Sequence, residues 1–417
     1  MATTTGERTG GRPSPRRRSA GKQGTLATLL AQPLSSYYLV LIPVVLLVSI
    51  GQLMSLSSSS VYAQAVMGSP YYFAIRQIVF LVAGIPLAWW LSHRSADFLR
   101  RLAWPALALA IALLLMLFSP LGIENKGNRA WISLGGLGTL QPAEFAKLGV
   151  IVWAAAVLHN KRKVLDQPKE LLPPLLIGFG LPIMLILAGG DLGTALVLVA
   201  IFAGVLWLVG TPMIIMGGLG LGLAGIVGVL VLASENRMTR IANFLAGTSH
   251  DDPTVSQQPL SAVYALATGG WFGVGLGGSR QKWGGLADAA QNDYVFAVLG
   301  EELGLFGTWA VIAAFAVLCY GGIRIAQRAD SLFIKVLAGG ITVWIMFQTL
   351  MNIGVALNAL PVVGVPLPFI SVGGSALLSN LLAAGVLLAC ARQEPAARRS
   401  LESAKVTRRR VTRVVQK

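Results

Sequence analysis

The stretch Leu172-Pro-Pro-Leu-Leu-Ile-Gly-Phe-Gly-Leu-Pro-Ile-Met-Leu-Ile-Leu-Ala-Gly189, then Gly190-Asp191, then Leu192-Gly-Thr-Ala-Leu-Val-Leu-Val-Ala-Ile-Phe-Ala-Gly-Val-Leu-Trp-Leu-Val-Gly210, decides the fold class. Neither apolar run carries a charge, and each comes close to the ~20 residues a helix needs to cross hydrocarbon. The Gly-Gly-Asp between them reads as a tight hairpin between two spans. Outward from this pair, apolar runs and their breakers predict ten helices in all. They lie near 38–57, 72–92, 100–119, 142–158, 172–189, 192–210, 213–233, 294–320, 334–357 and 367–391. The composition agrees, with 55% hydrophobic and only 12% charged residues and a mean hydropathy of +0.69. Soluble domains carry about 25% charged residues. A water-facing enzyme of 417 residues is excluded, and an all-α integral membrane protein is expected.

The net charge of +16 is uneven along the chain. The tail 1–35 holds Arg8, Arg12, Arg16, Arg17, Arg18 and Lys22, and the tail 393–417 holds Arg408, Arg409 and Arg410. The connections at 93–101, 159–171 and 321–335 are also basic and fall on the same side as the tails. Positive charge favours the cytoplasm, so both termini are expected there. The basic tails read as topology signals and contacts to anionic lipid rather than nucleic-acid binders. Between them lies a ten-helix domain over 36–392. Its opposite face carries long connections at 120–141 and 234–293, the second large enough to be a working loop. Cys319 and Cys390 sit in apolar runs and support neither a disulfide framework nor a thiolate site. Transporter, channel and membrane enzyme are all open at this point.

Ionisable residues in membrane spans are costly and mark function by default. Arg76 reads equally as a snorkelling cation or a functional one. Glu144 and Lys147, at i and i+3, share one helix face and can pair. Glu144 also suits the first turn of a helix that opens with Pro142, whereas Lys147 lies deeper and needs a partner or an anion. Asp191 reads first as a helix N-cap. Asp293 ends the long loop, and Glu301 and Glu302 lie about 12–14 Å deeper at 1.5 Å per residue, where gluing helices is their expected work. The Gly-rich run Gly269–Trp283, with Arg280 and Lys282, is a plausible cradle for a diphosphate.

Six stretches together carry a resemblance. They are Lys126-Gly-Asn-Arg-Ala-Trp-Ile-Ser-Leu-Gly135, Gln141-Pro-Ala-Glu-Phe-Ala-Lys147, Asp191-Leu-Gly-Thr194, Gly269–Trp283, Asn292-Asp-Tyr-Val-Phe-Ala-Val-Leu-Gly-Glu-Glu-Leu-Gly304 and Leu360-Pro-Val-Val-Gly-Val-Pro-Leu-Pro-Phe-Ile-Ser-Val-Gly-Gly-Ser375. In order and spacing they resemble the SEDS family (shape, elongation, division and sporulation; FtsW, RodA and SpoVE). The resemblance implies a peptidoglycan glycosyltransferase that polymerises lipid II outside the cytoplasmic membrane. It places the family's essential aspartate on Asp293, its first-loop Trp on Trp131 with Arg129 beside it, and its Glu and Lys on Glu144 and Lys147. Leu56-Ser-Ser-Ser-Ser60 and the Ser-Arg-Gln-Lys-Trp-Gly run are most similar to the FtsW-type division branch, and the basic tails to its actinobacterial members. A RodA-type elongation polymerase, a lipid II flippase and a non-catalytic divisome scaffold are the alternatives.

Gln291-Asn292 replaces the family's His-Thr, Gly190 its Pro, Val372 its Tyr and Ser261-Ala262 its Gln-Ser. On this resemblance Asp293 is the expected base. Arg129, Lys147, Arg280 and Lys282 are expected around the diphosphates, with Arg76, Glu144 and Ser371 as further substrate contacts. Trp131 is expected either to pack on substrate or to anchor in the interface. Asp191, Glu301 and Glu302 are expected in supporting roles. Any metal is expected to be Mg²⁺ or Mn²⁺ arriving with the pyrophosphate, and no organic cofactor is expected. A class B penicillin-binding protein and divisome proteins are the implied partners, at the division septum.

Overall fold

The computed structural model describes residues 32–125, 128–133, 135, 138–165, 167–232, 238, 244, 257–286 and 289–403. Most of the tails, and most of 233–256 in the long loop, lie outside the described residues. Along the chain come α1 (Ser35–Met67), α2 (Tyr72–Ser92), α3 (Ala96–Arg101) and α4 (Ala103–Leu115), then β1 (Gly122–Asn125), β2 (Asn128–Ser133) and β3 (Thr139–Leu140). There follow α5 (Pro142–Asn160), α6 (Pro168–Ala188), α7 (Leu192–Leu208), α8 (Met213–Leu232), α9 (Gln257–Gly269), α10 (Val295–Arg328), α11 (Leu332–Ala356) and α12 (Gly374–Arg392). Seven helices are long and apolar enough to cross a membrane, and three shorter apolar ones, at Ala103–Phe118, Leu192–Leu208 and Met213–Val229, accompany them. Each corresponds to one of the ten expected segments. The protein is an integral membrane α-bundle.

Three features differ from the expectation. The last span begins at Gly374, because Pro361, Pro366 and Pro368 keep residues 361–373 out of a helix. This strap turns back into the bundle far enough for Gly51, mid-helix in α1, to lie against the Phe369 carbonyl. The connection after α4 is a small antiparallel sheet of order β1-β2-β3, with Ile123 opposite Trp131 and Ile132 opposite Leu140. Within the long loop, α9 is a further helix. Small residues let the bundle close: Gly84 packs on Leu381, Gly385 on the Ala88 backbone and Gly178 on Trp153, which is how helices associate where lipid competes equally for apolar surface.

α10 is two helical halves joined at Gly304, where φ is 67° and ψ is −165°. The break frees the Glu301 and Glu302 carbonyls and the Leu305 and Phe306 N–H groups, and the loop after α9 satisfies all four. Val274 N–H donates to Glu301 O (2.9 Å) and Gly275 N–H to Glu302 O (3.1 Å), while Leu305 and Phe306 donate to the carbonyls of Gly270 (2.9 Å) and Trp271 (3.3 Å). A Cβ on Gly304 would strike the Trp271–Gly273 backbone, and this backbone region is essentially glycine's alone. Gly304→Ala is therefore expected to cost about 1–3 kcal/mol from backbone strain, with more from the clash. Thermal unfolding of the purified protein measures it, and an unchanged midpoint would contradict the kink.

At the basic end of the bundle, Arg324 donates to Ser35 Oγ (2.6 Å) and Gln393 accepts from the Ala96 N–H (2.8 Å). Glu394 is buried just beyond α12, with Arg328 at 4.0 Å. Burial pushes its carboxyl above the ordinary 4.5, while Arg328 and Arg324 pull part of the way back. The folded state thus holds the Glu394 proton more tightly than the unfolded chain. Its stabilisation is complete below pH 4.5 and fades as pH rises through the raised folded value. Glu394→Gln should flatten that part of the curve of thermal midpoint against pH; parallel curves would exclude Glu394 as its source.

Candidate active site

The opposite end of the bundle gathers most of the motif residues. Gln291, Asn292 and Asp293 lead into α10, and their three carbonyls are each held from outside their own segment. Val372 N–H donates to Gln291 O (2.9 Å), Ser371 Oγ to Asn292 O (2.7 Å) and Asn352 Nδ2 to Asp293 O (3.0 Å). Asp293 is half-buried where this fixed segment meets the end of the bundle. Ser371 also accepts from the Leu367 N–H (2.8 Å). The buried strap residue Phe369 sits at φ 63°, rare for a bulky side chain and typical of tightly specified sites.

Below this segment lies a fully buried ion pair. Lys147 Nζ donates to Glu144 Oε1 (2.7 Å) and Gln348 Oε1 (2.8 Å) and faces the Trp344 ring at 4.7 Å. The Ser379 hydroxyl donates to Glu144 Oε2 (3.3 Å). A second buried pair closes the Gly-rich run. Lys282 Nζ donates to Glu302 Oε1 (3.0 Å), Ser57 Oγ (3.2 Å) and Gly277 O (2.8 Å), and Ser57 donates to Glu302 (2.6 Å). Glu301 accepts from Ser279 Oγ (2.5 Å) and the Arg280 N–H (3.0 Å). Glu301 and Glu302 thereby fasten the loop to the kinked helix and leave the Arg280 side chain exposed.

These contacts give part of the expected diphosphate set other partners. Lys147 and Lys282, at 0% and 3% exposure, are committed to buried carboxylates, and withdrawing either would strand a desolvated charge. Glu144 is occupied by Lys147 and Ser379. Ser371 is buried, and its hydroxyl is bonded to the Asn292 carbonyl and the Leu367 N–H, which fixes the Asp293 segment. Arg76 is turned inward, donating to the Thr139 carbonyl (3.0 Å) and hydroxyl (3.3 Å). Arg129 and Arg280 remain at the surface. Arg129 lies 3.4 Å from Glu124 with its side chain 45% exposed, a weak partner in water. Its N–H donates to Gly189 O (2.7 Å), which ties the sheet to the α6–α7 hairpin. Trp131 is half-buried in β2. Asp191 caps α7, accepting from the Thr194 N–H (2.9 Å) and hydroxyl (2.7 Å), and also receives Gln141 Nε2 (3.3 Å).

Ser57, Gln348 and Asn352 were not expected. Gln348 and Asn352 are polar residues four apart in an otherwise apolar run, and that is the signal that exposes them.

A membrane bundle whose end opposite the basic one presents a fixed carboxylate-bearing segment and two surface arginines is the class of protein defined so far. Its sequence is covered from residue 37 to 396 by the cell cycle protein profile of FtsW, RodA and SpoVE. The chain belongs to this family. It is 32% identical over 396 residues to a Mycobacterium tuberculosis protein called "Probable peptidoglycan glycosyltransferase FtsW", spanning 94% of this chain and 74% of that one. It is 38% identical to the Bacillus subtilis stage V sporulation protein E, spanning 85% and 96%. Among solved structures, a chain from a peptidoglycan synthase complex that coordinates polymerization and crosslinking matches with a TM-score of 0.69 at 26% identity, over 85% of this chain and 97% of that one. A mutant of the rod-shape-determining protein RodA from Thermus thermophilus matches with a TM-score of 0.63 at 25% identity, over 86% and 98%.

Proposed function

We propose that this protein is a peptidoglycan glycosyltransferase that polymerises lipid II on the outer face of the cytoplasmic membrane, in partnership with a class B penicillin-binding protein. The observation that carries the proposal is the Asp293 segment, held by three backbone hydrogen bonds in a family with relatives named for that activity. The basic end faces the cytoplasm, and the Asp293 end faces the substrate. FtsW-named relatives and the Leu56–Ser60 run favour septal synthesis over elongation.

In the reaction, a hydroxyl of incoming lipid II attacks the anomeric carbon of the growing glycan. The bond from that carbon to undecaprenyl pyrophosphate breaks, and the pyrophosphate leaves with the electron pair. Asp293 takes the hydroxyl proton as general base. Arg280 and Arg129 meet the charge that grows on the leaving diphosphate. Among the described residues no group of three or more His, Cys, Asp or Glu side chains is placed to cage a metal. A divalent cation, where one takes part, would come with the substrate's phosphates and help neutralise the leaving diphosphate. The transport reading would require Lys147 or Glu301 to leave its buried partners, and no contact here favours that.

Glycan formation from purified lipid II, by the protein in complex with its transpeptidase, tests the proposal. Polymer is expected. A folded, intact complex that makes none would move the weight to transport or scaffolding.

A further inference from the structure

Trp344, Gln348 and Asn352 stand at i, i+4 and i+8 on one face of α11, buried at 0%, 0% and 1% exposure. Each polar rung is tied to a different part of the site end. Trp344 Nε1 donates to Gln348 Oε1 (2.6 Å), which also receives Lys147, and Gln348 Nε2 donates to Pro366 O (2.8 Å). Asn352 Nδ2 donates to Val365 O (2.9 Å) and to Asp293 O (3.0 Å). Both protons of the Asn352 amide are therefore used, and they bridge two main chains that meet nowhere near each other in sequence. An Asn buried in the last turns of a membrane helix is a poor helix former and a desolvated polar group. A leucine would serve packing better, so packing does not account for it.

We infer that Asn352 is a positioning residue for the reaction, fixing the Asp293 main chain against the 361–373 strap and so aiming the Asp293 carboxylate. The ladder beneath it extends the same support: the Glu144–Lys147 pair grips Gln348, and Gln348 grips the strap one residue beyond Val365. The inference rests on Asp293 being the base. Asn352 touches no reacting atom, so its loss lowers the rate of the chemical step and leaves lipid II binding alone. A displacement of about 1 Å at such a centre costs on the order of a hundredfold in rate.

The test compares initial rates across lipid II concentrations for wild type, Asn352→Ala, Asn352→Ser and Asp293→Asn, each purified with the transpeptidase. Serine and alanine fill nearly the same space, but only serine brings a hydrogen-bond donor. Expected are a kcat about 100-fold below wild type for Asn352→Ala, an intermediate kcat for Asn352→Ser, and a KM within about twofold of wild type for both. A purely structural role moves the folded fraction and leaves the kcat of the folded protein alone. A wild-type kcat in Asn352→Ala, equal kcat in the Ser and Ala variants, or a rise in KM with kcat unchanged would each overturn the inference. Should Asn352→Ala fail to fold, Asn352→Ser decides on kcat alone. If Asp293→Asn polymerises normally, the base assignment fails and the inference with it. If Asp293→Asn is inactive while Asn352→Ala matches wild type, only the positioning role fails.

Discussion

Asp293→Asn is expected to leave a folded protein that still binds its transpeptidase and to lower lipid II polymerisation by about 10²- to 10⁴-fold, the usual contribution of a positioned general base. The substitution keeps the shape but replaces the charged, basic carboxylate with a neutral amide. The segment keeps the main-chain carbonyls that receive Val372, Ser371 and Asn352, which the substitution leaves in place. The effect should appear in kcat, with KM nearly unchanged, since a base acts in the transition state. Nothing else among the described residues of this segment can replace it: Gln291 and Asn292 are amides, where the family's motif has histidine and threonine. Wild-type and Asp293→Asn complexes would be compared at matched concentration and matched thermal midpoint. Equal glycan yield from the two would remove Asp293 from the chemistry.

The ten spans were legible because length and hydropathy are local properties. Each apolar run of 172–189 or 192–210 type declares itself without reference to its neighbours. Asp191 as an N-cap was legible for the same reason. Fates decided by another part of the chain were not. Lys147 could be read as pairing with Glu144 or as needing an anion, and the choice stayed open because its second acceptor, Gln348, is 201 residues away. Lys282 sits among glycines that suggest a phosphate cradle, yet its carboxylate partner, Glu302, is in the next helix, and Ser57 reaches both from α1. The Gly304 break could not be read either: Gly300, Gly304 and Gly307 look alike in the sequence, and only the loop backbone docked against Gly304 shows that the helical hydrogen bonds have been exchanged. The strap was partly visible in its three prolines, but its re-entry to the level of Gly51 was not.

The other large effect is on stability. Lys147→Met alone is expected to destabilise the folded protein by about 3–5 kcal/mol, the cost of breaking a buried pair by removing one partner. Glu144 then keeps a desolvated carboxylate held by the Ser379 hydroxyl at 3.3 Å. Glu144→Gln alone should cost a similar amount, because it leaves the ammonium with Gln348 and the Trp344 face and only the more distant Asp191 carboxylate as counter-charge. The double variant Glu144→Gln with Lys147→Met removes both charges. It should cost no more than either single change, since apolar replacement of a whole buried pair is often close to neutral. Unfolding midpoints of the four proteins in one detergent close the cycle. Additive losses would mean that the two residues do not act as a pair. A Lys147→Met protein as stable as wild type would mean that the cation was never held in the buried contacts described above. In the expected case, any activity lost by the singles and regained by the double is activity lost through instability. Whatever the double still lacks measures how far the pair supports the strap through Gln348, because Gln348 then has only Trp344 and Pro366 to hold it.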